Sequence, residues 1–211
     1  MSRTADKTDI PHRLTQAGRE LFSRQGYNAT GIQQITDHAG VPKGSFYNHF
    51  ESKEVFAVAI IEQYAEHLQR SWEAIQDDLP MEAAQVSELD DDAIDRVDLF
   101  LSRFGKLQDF MAGKLFRALS RASLEDTDQD VSLLDTLNRM EKFGVLRTID
   151  DWLEVRLLRN AFAHEYLTDS QAIAENINQA ARLYDLLPQT LQRCHEFYRR
   201  HILPERSDGG P

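Results

Sequence analysis

The sequence has one cysteine, no long apolar run and little alternation of apolar with polar residues, and each shortage removes a class of protein. With Cys194 alone among 211 residues, no intrachain disulfide and no cysteine-rich zinc site can form, and a reducing compartment is the simplest expectation. No run approaches the roughly 20 apolar residues of a membrane span. The opening "MSRTADKTDIPHR" has no apolar core of signal-peptide length. A cytoplasmic protein without membrane contact is therefore expected. No His or Cys stands at ligand spacing from His164, although Glu165 and Asp169 are near it in sequence, so neither a metal nor a cofactor is expected.

Positive charge is also scarce, and the net charge is −11. The deficit is uneven. Arg3, Lys7, Arg13, Arg19, Arg24, Lys43 and Lys53 outnumber Asp6, Asp9, Glu20, Asp37 and Glu51 in the first quarter of the chain. Further on, Asp77, Asp78, Glu82, Glu88, Asp90, Asp91, Asp92, Asp95 and Asp98 face Arg96 alone. The N-terminal segment thus stays compatible with a phosphate backbone.

What is present is helical periodicity. Patterns of 3.6 residues dominate, there is no repeat, and 41% hydrophobic residues suffice for one or two small cores, so the fold class is all-α. A helix from His12 carries Leu14, Ala17, Leu21 and Phe22 on one face and stops at Gly26. Thr30 is placed as the N-cap of a second helix, with Gln33 completing a capping box and Gly40 ending it. A short third helix, "KGSFYNHF", follows Pro42, and Ser52 caps a long fourth helix towards Ile75. The expected division is residues 1–76 as one domain, 77–91 as an acidic linker and 92–211 as a helical bundle. Within the last, a long helix runs from near Asp92 past Leu119 and another spans about Val131 to Phe143. Thr148 caps a third, and a final helix runs from Asp169 to Tyr198.

The turn "GVPKG" between two short helices makes a helix-turn-helix unit, whose second helix normally enters the DNA major groove. Lys43, Gly44 and Ser45 open that helix with a cation, a residue permitting close backbone approach, and a hydroxyl. Tyr47, Asn48 and His49 are expected on its exposed side, with Phe46 and Phe50 sharing the buried face. Lys53 opposes the dipole of the helix it starts, a local cost that makes sense beside a phosphate.

Residues 11–56, with "GY" and "ATGIQQITDHAGVPKGSFYNHFESKEVF", resemble the DNA-binding domain of TetR-family bacterial transcriptional repressors. That resemblance implies base contact by Lys43, Gly44, Ser45 and Tyr47 and phosphate contact by Thr30, Tyr47, His49 and Lys53, with Gln33 or Asn48 as further base contacts. Capping alone is the alternative role for Thr30 and Gln33. The implied partner is a palindromic double-stranded operator, bound by a homodimer.

A second motif, "LRNAFAHEY" at 158–166, sets Arg159, Asn160, His164 and Tyr166 within two helical turns. Trp152, Arg156, Asn160 and His164 follow one i, i+4 line. An imidazole that moves protons, a guanidinium that stabilises phosphate charge and an amide that orients it are the groups of metal-free RNA cleavage. The Arg-Asn-x-x-x-His-x-Tyr pattern resembles that of the HEPN superfamily, four-helix domains that include HepT-type toxin endoribonucleases. The resemblance covers roughly Asp92 to Arg200. It implies Arg159, Asn160 and His164 as catalytic residues acting on RNA across a two-fold axis, and Tyr166 as a residue modified by a nucleotidyltransferase antitoxin. A polar seam between subunits is the alternative from the residues themselves, and a bundle that binds a small-molecule effector is the alternative that the TetR resemblance implies.

Overall fold

The structure, a computed structural model, describes residues 9–27, 29–123, 132–164 and 169–201, with the side chains of Glu54, Ala122, Ala163 and His164 also set aside. Among the described residues every regular element is helical, and no helix is long and apolar enough to cross a membrane. The chain forms two compact units, Met1–Tyr64 and Ala65–Pro211.

The first unit is built by α1 (Ile10–Gln25), α2 (Ile32–Ala39), α3 (Lys43–Tyr47) and the first half of α4 (Lys53–Glu73). Pro11 near the start of α1 and Gly26 after its end follow the usual asymmetry of helix termini. Leu14, Phe22, Ile35, Phe46, Phe56 and Ile60 are fully buried. The aromatic members interlock, because Phe56 meets Phe22, Phe46 and Phe50 with centroids 6.0, 5.1 and 4.8 Å away. These are edge-on arrangements, which ring quadrupoles favour. α1 lies close to α4 because residue 18 is glycine: a Cβ there would collide with the Phe56 ring and stand 2.8 Å from Ile60 Cδ1.

In the second unit, α6 (Asp91–Phe110) continues through a π turn, Met111–Leu115, into α7 (Phe116–Ala122). Then come α8 (Leu133–Lys142), α9 (Ile149–His164), α10 (Ser170–Leu183) and α11 (Leu186–His201). The expected caps are in place for two of them: Thr148 Oγ1 accepts from the Asp151 amide at 3.1 Å, and Asp169 Oδ1 from the Gln171 amide at 3.0 Å. The single final helix expected from Asp169 to Tyr198 is two helices. Pro188 has no N–H to give the Tyr184 carbonyl and its ring crowds that oxygen, so the helix breaks at 184–185 and restarts. Phe100, Phe104, Phe116, Trp152, Val155, Ile177 and Leu187 fill the core, together with the thiol of Cys194, which burial pushes well above the usual range.

The acidic stretch expected as a linker is folded. The units divide inside α4, at Tyr64, and not at 77–91. Ile75, Met81 and Val86 are buried, and α5 (Ala83–Ser87) packs against α10. The Asn178 amide clasps the backbone of Met81, accepting from its N–H at 2.9 Å and donating to its carbonyl at 2.8 Å. Acids fill the exposed positions of this segment, while its few apolar side chains anchor it.

Candidate nucleic-acid interface and a second-unit cavity

The turn between α2 and α3 is fixed by backbone geometry first. Gly40 takes the left-handed conformation, φ 62° and ψ 39°, which glycine adopts without a Cβ penalty. The Gly40 N–H reaches the Asp37 carbonyl at 3.1 Å and the Val41 N–H the Thr36 carbonyl at 3.0 Å, closing α2 as a Schellman-type cap. Arg13, which sequence reasoning passed over, reaches across from α1 and donates through Nη2 to the carbonyls of Ala39 and Gly40, the latter at 3.0 Å. A cation at a helix C-terminus also suits the dipole. His38 Nε2 lies 2.7 Å from Glu20 Oε2 and ties the same two helices together, and that hydrogen bond holds the Glu20 carboxyl below its usual range.

The start of α2 differs from expectation by one residue. Gly31 is the N-cap, and its N–H donates to Gln34 Oε1 at 2.8 Å. Thr30 is 1% exposed, and its hydroxyl donates backwards to the Gly26 carbonyl at 2.7 Å while its amide donates to Tyr27. Thr30 therefore does not cap α2, and its hydroxyl hydrogen is directed to the Gly26 carbonyl. Gln33 is exposed and donates to Asp37 Oδ1 at 2.7 Å, so it completes no capping box but faces solvent.

α3 is divided as its sequence implied. Phe46 is fully buried and contacts Phe50, centroids 5.6 Å apart. Lys43, Gly44, Tyr47, Asn48 and His49 are exposed and Ser45 half-exposed. Tyr47 stands 53% exposed, propped edge-on against Phe46. Around Gly44 nothing lies within 4 Å of where a Cβ would be, so the backbone there is open to close approach. The Lys53 ammonium lies 4.1 Å from the centroid of the Tyr27 ring. This cation–π contact offsets the cost of a lysine at the start of α4. Among the described residues, then, a small exposed face carries hydroxyl, amide, imidazole and ammonium groups on an aromatic base, which is the chemistry of phosphate and base-edge contact.

This face coincides with a known domain. The profile of "Bacterial regulatory proteins, tetR family" matches residues 14–60. Residues 14–60 are a TetR-family helix-turn-helix domain. The HTH-type transcriptional repressor DhaR of Mycobacterium sp. (strain GP1) is 43% identical across 65 residues, 31% of this chain and 33% of that protein. The HTH-type transcriptional repressor NemR of Escherichia coli (strain K12) is 41% identical across 69 residues, 32% of this chain and 35% of its own. The chain thus spans about a third of the length of the curated relatives it matches. Among solved structures, a transcriptional regulator (TerR/AcrR family) from Aquifex aeolicus VF5 aligns over 83% of this chain and 99% of its own at 20% identity, with a TM-score of 0.43.

The motif of the second unit is assembled differently from its sequence pattern. Arg159 is held by Asp109 of α6, donating to Oδ2 through Nε at 3.0 Å and Nη2 at 2.6 Å. Its stem lies over Gly105, where a Cβ would be 3.3 Å from Arg159 Cγ. Nη1 comes only to 3.4 Å from Asn160 Oδ1. The i, i+4 line does not form one surface, since Trp152 is fully buried and Arg156 exposed. The His164 side chain and all of Tyr166 lie outside the described residues.

Beside Arg159 is an open cavity of about 680 Å³, formed by α5, the loop after it, α6, α9 and the start of α10. Val86, Ile94, Val97, Leu101, Phe162 and Ile173 give it apolar walls, and Asp98, Ser102, Lys106, Asp109 and Arg159 place polar groups on it. Sequence reasoning missed it. The available signal was the line Asp98, Ser102, Lys106, polar residues four apart on a helix otherwise rich in buried Phe and Leu.

Proposed function

We propose that the protein is a DNA-binding transcriptional regulator that acts as a homodimer on a palindromic operator. One observation carries the reading: Lys43, Gly44, Tyr47 and the half-exposed Ser45 on the second helix of a TetR-type helix-turn-helix unit, with Asn48 and His49 in the turn that ends it, form one solvent-facing run. Gln33 and Lys53 flank that run. DhaR and NemR, which are 43% and 41% identical over 65 and 69 residues, are transcriptional repressors by name. Two recognition helices meet two half-sites only if the protein shares the two-fold axis of the DNA. The first unit commits Phe22, Phe46, Phe50 and Phe56 to its own core, so dimerisation is assigned to the second. Selection from random duplexes is expected to yield an inverted repeat. Six to ten phosphate contacts predict an affinity loss on the order of 10³- to 10⁵-fold between 50 and 200 mM salt. An asymmetric site, or binding without sequence preference, would sink the reading.

The cavity favours a second role for the C-terminal unit, as the receptor for a small effector. Its volume, about 680 Å³, lies within the roughly 300–1,000 Å³ of small-molecule sites, and its apolar walls with a few polar groups are their usual chemistry. A HEPN-type ribonuclease asks Arg159 to bring its charge to a phosphate, whereas Asp109 holds that guanidinium by two hydrogen bonds. Single-stranded RNA incubated with the protein in EDTA is accordingly expected to stay intact. Cleavage leaving cyclic phosphate ends, and lost in His164→Ala by the 10²- to 10⁴-fold typical of general acid–base groups, would restore the ribonuclease and its antitoxin partner.

A further inference from the structure

We propose that the second-unit cavity takes a single-chain amphiphile with a carboxylate head, seated on Lys106 and Arg159. The inference rests on the effector reading and names the chemistry of its ligand. The apolar walls would accept an aliphatic body, and the polar groups decide the head. Asp98 and Lys106 lie on the same line of α6, eight residues apart, which is about 12 Å along a helix. The cavity therefore has an acidic place and a basic place.

The basic place is the better equipped. Arg159 and Asp109 cancel each other's charge through the pair at 2.6 Å. Lys106, one turn before Asp109 on α6, is exposed and has no ion-pair or hydrogen-bond partner among the described residues. One positive charge is thus left in excess there. Arg159 also keeps donor capacity, because Nη1 meets only the distant Asn160 oxygen at 3.4 Å. A cationic head would find Asp98, exposed and solvated, and Asp109, whose charge is already met by Arg159. The absence of a side chain at Gly105 lets Arg159 lie close to α6, so this donor is positioned before any ligand arrives.

Calorimetric titration of the full chain with decanoate, decanol and decyltrimethylammonium tests the proposal at matched chain length. Decanoate is expected to bind one site per chain about tenfold tighter than decanol, the gain from a charge-assisted contact, with the ammonium weakest. Lys106→Met, a change at an exposed position, is expected to bring decanoate down to the affinity of decanol and leave decanol unchanged. Asp98→Asn is expected to weaken none of them. Equal binding of decanoate and decanol, preference for the ammonium, or discrimination that survives Lys106→Met would overturn the carboxylate assignment and leave the receptor role standing. Failure of all three to bind would remove the receptor role along with it.

Discussion

Gly18→Ala is expected to destabilise the first unit by about 3 kcal/mol, the upper part of the range for overpacking a filled core. The added methyl group would enter the space of the Phe56 ring and approach Ile60 Cδ1 to 2.8 Å. Neither neighbour can yield cheaply, since both are fully buried and the Phe56 ring is wedged among Phe22, Phe46 and Phe50. Alanine is the better helix former by about 1 kcal/mol, which offsets only part of the strain. Against the roughly 5–15 kcal/mol that holds a domain folded, such a loss lowers both the melting temperature and the fraction of chain able to bind DNA. Thermal unfolding followed by circular dichroism measures it. Shortening the ring with Phe56→Leu in the Gly18→Ala background should recover part of the loss. A Gly18→Ala protein as stable as the wild type would show that α1 and α4 have room to part.

Substitutions on the recognition face should have the opposite signature, with DNA affinity lost and stability kept. Lys43→Ala and Tyr47→Ala each remove an exposed side chain and are expected to weaken operator binding by roughly 1–3 kcal/mol. Gly44→Ala sharpens the contrast. Its Cβ meets nothing within 4 Å, and helix propensity favours alanine by about 1 kcal/mol. The melting temperature should therefore hold or rise while affinity falls, if DNA comes close to that backbone. Anisotropy titrations with a labelled operator, paired with melting curves, separate the two effects. Unchanged affinity in both Lys43→Ala and Tyr47→Ala would remove α3 from the interface.

The first unit was legible because its signals are local. Gly40 and Pro42 punctuate the chain where only certain φ values fit, and Phe46 and Phe50, four residues apart, both turn to the core although α3 ends at Tyr47. Even here the register of a cap slipped. Thr30 and Gln33 have the spacing of a capping box, and so do Gly31 and Gln34; the choice fell to Gly31 because the Thr30 hydroxyl is drawn back to the Gly26 carbonyl. Such a competition between two hydrogen bonds leaves no mark in composition.

The second unit was legible as helices and much less as a site. Helical period marked α6, α8 and α9 closely, but the partner of Arg159 stands fifty positions earlier, at Asp109. A polar motif read along one helix does not tell whether its charge faces a ligand or a neighbour's carboxylate. The acidic segment misled for a related reason: its surface is written in many residues, and its attachment in three, Met81, Val86 and, on another helix, Asn178.

The burial of Cys194 has a consequence for signalling. A thiol acts as a nucleophile only when ionised and reachable. This one is 1% exposed on α11, in surroundings that disfavour the thiolate. Peroxides, quinones and disulfides would find no foothold on it in the folded chain, so oxidant stress is not a message this residue can receive. A thiol reagent would instead modify the protein only as fast as α11 lifts from its neighbours. The single cysteine thereby serves as a clock for the opening of the second unit, and it would run slower whenever a ligand steadies that unit.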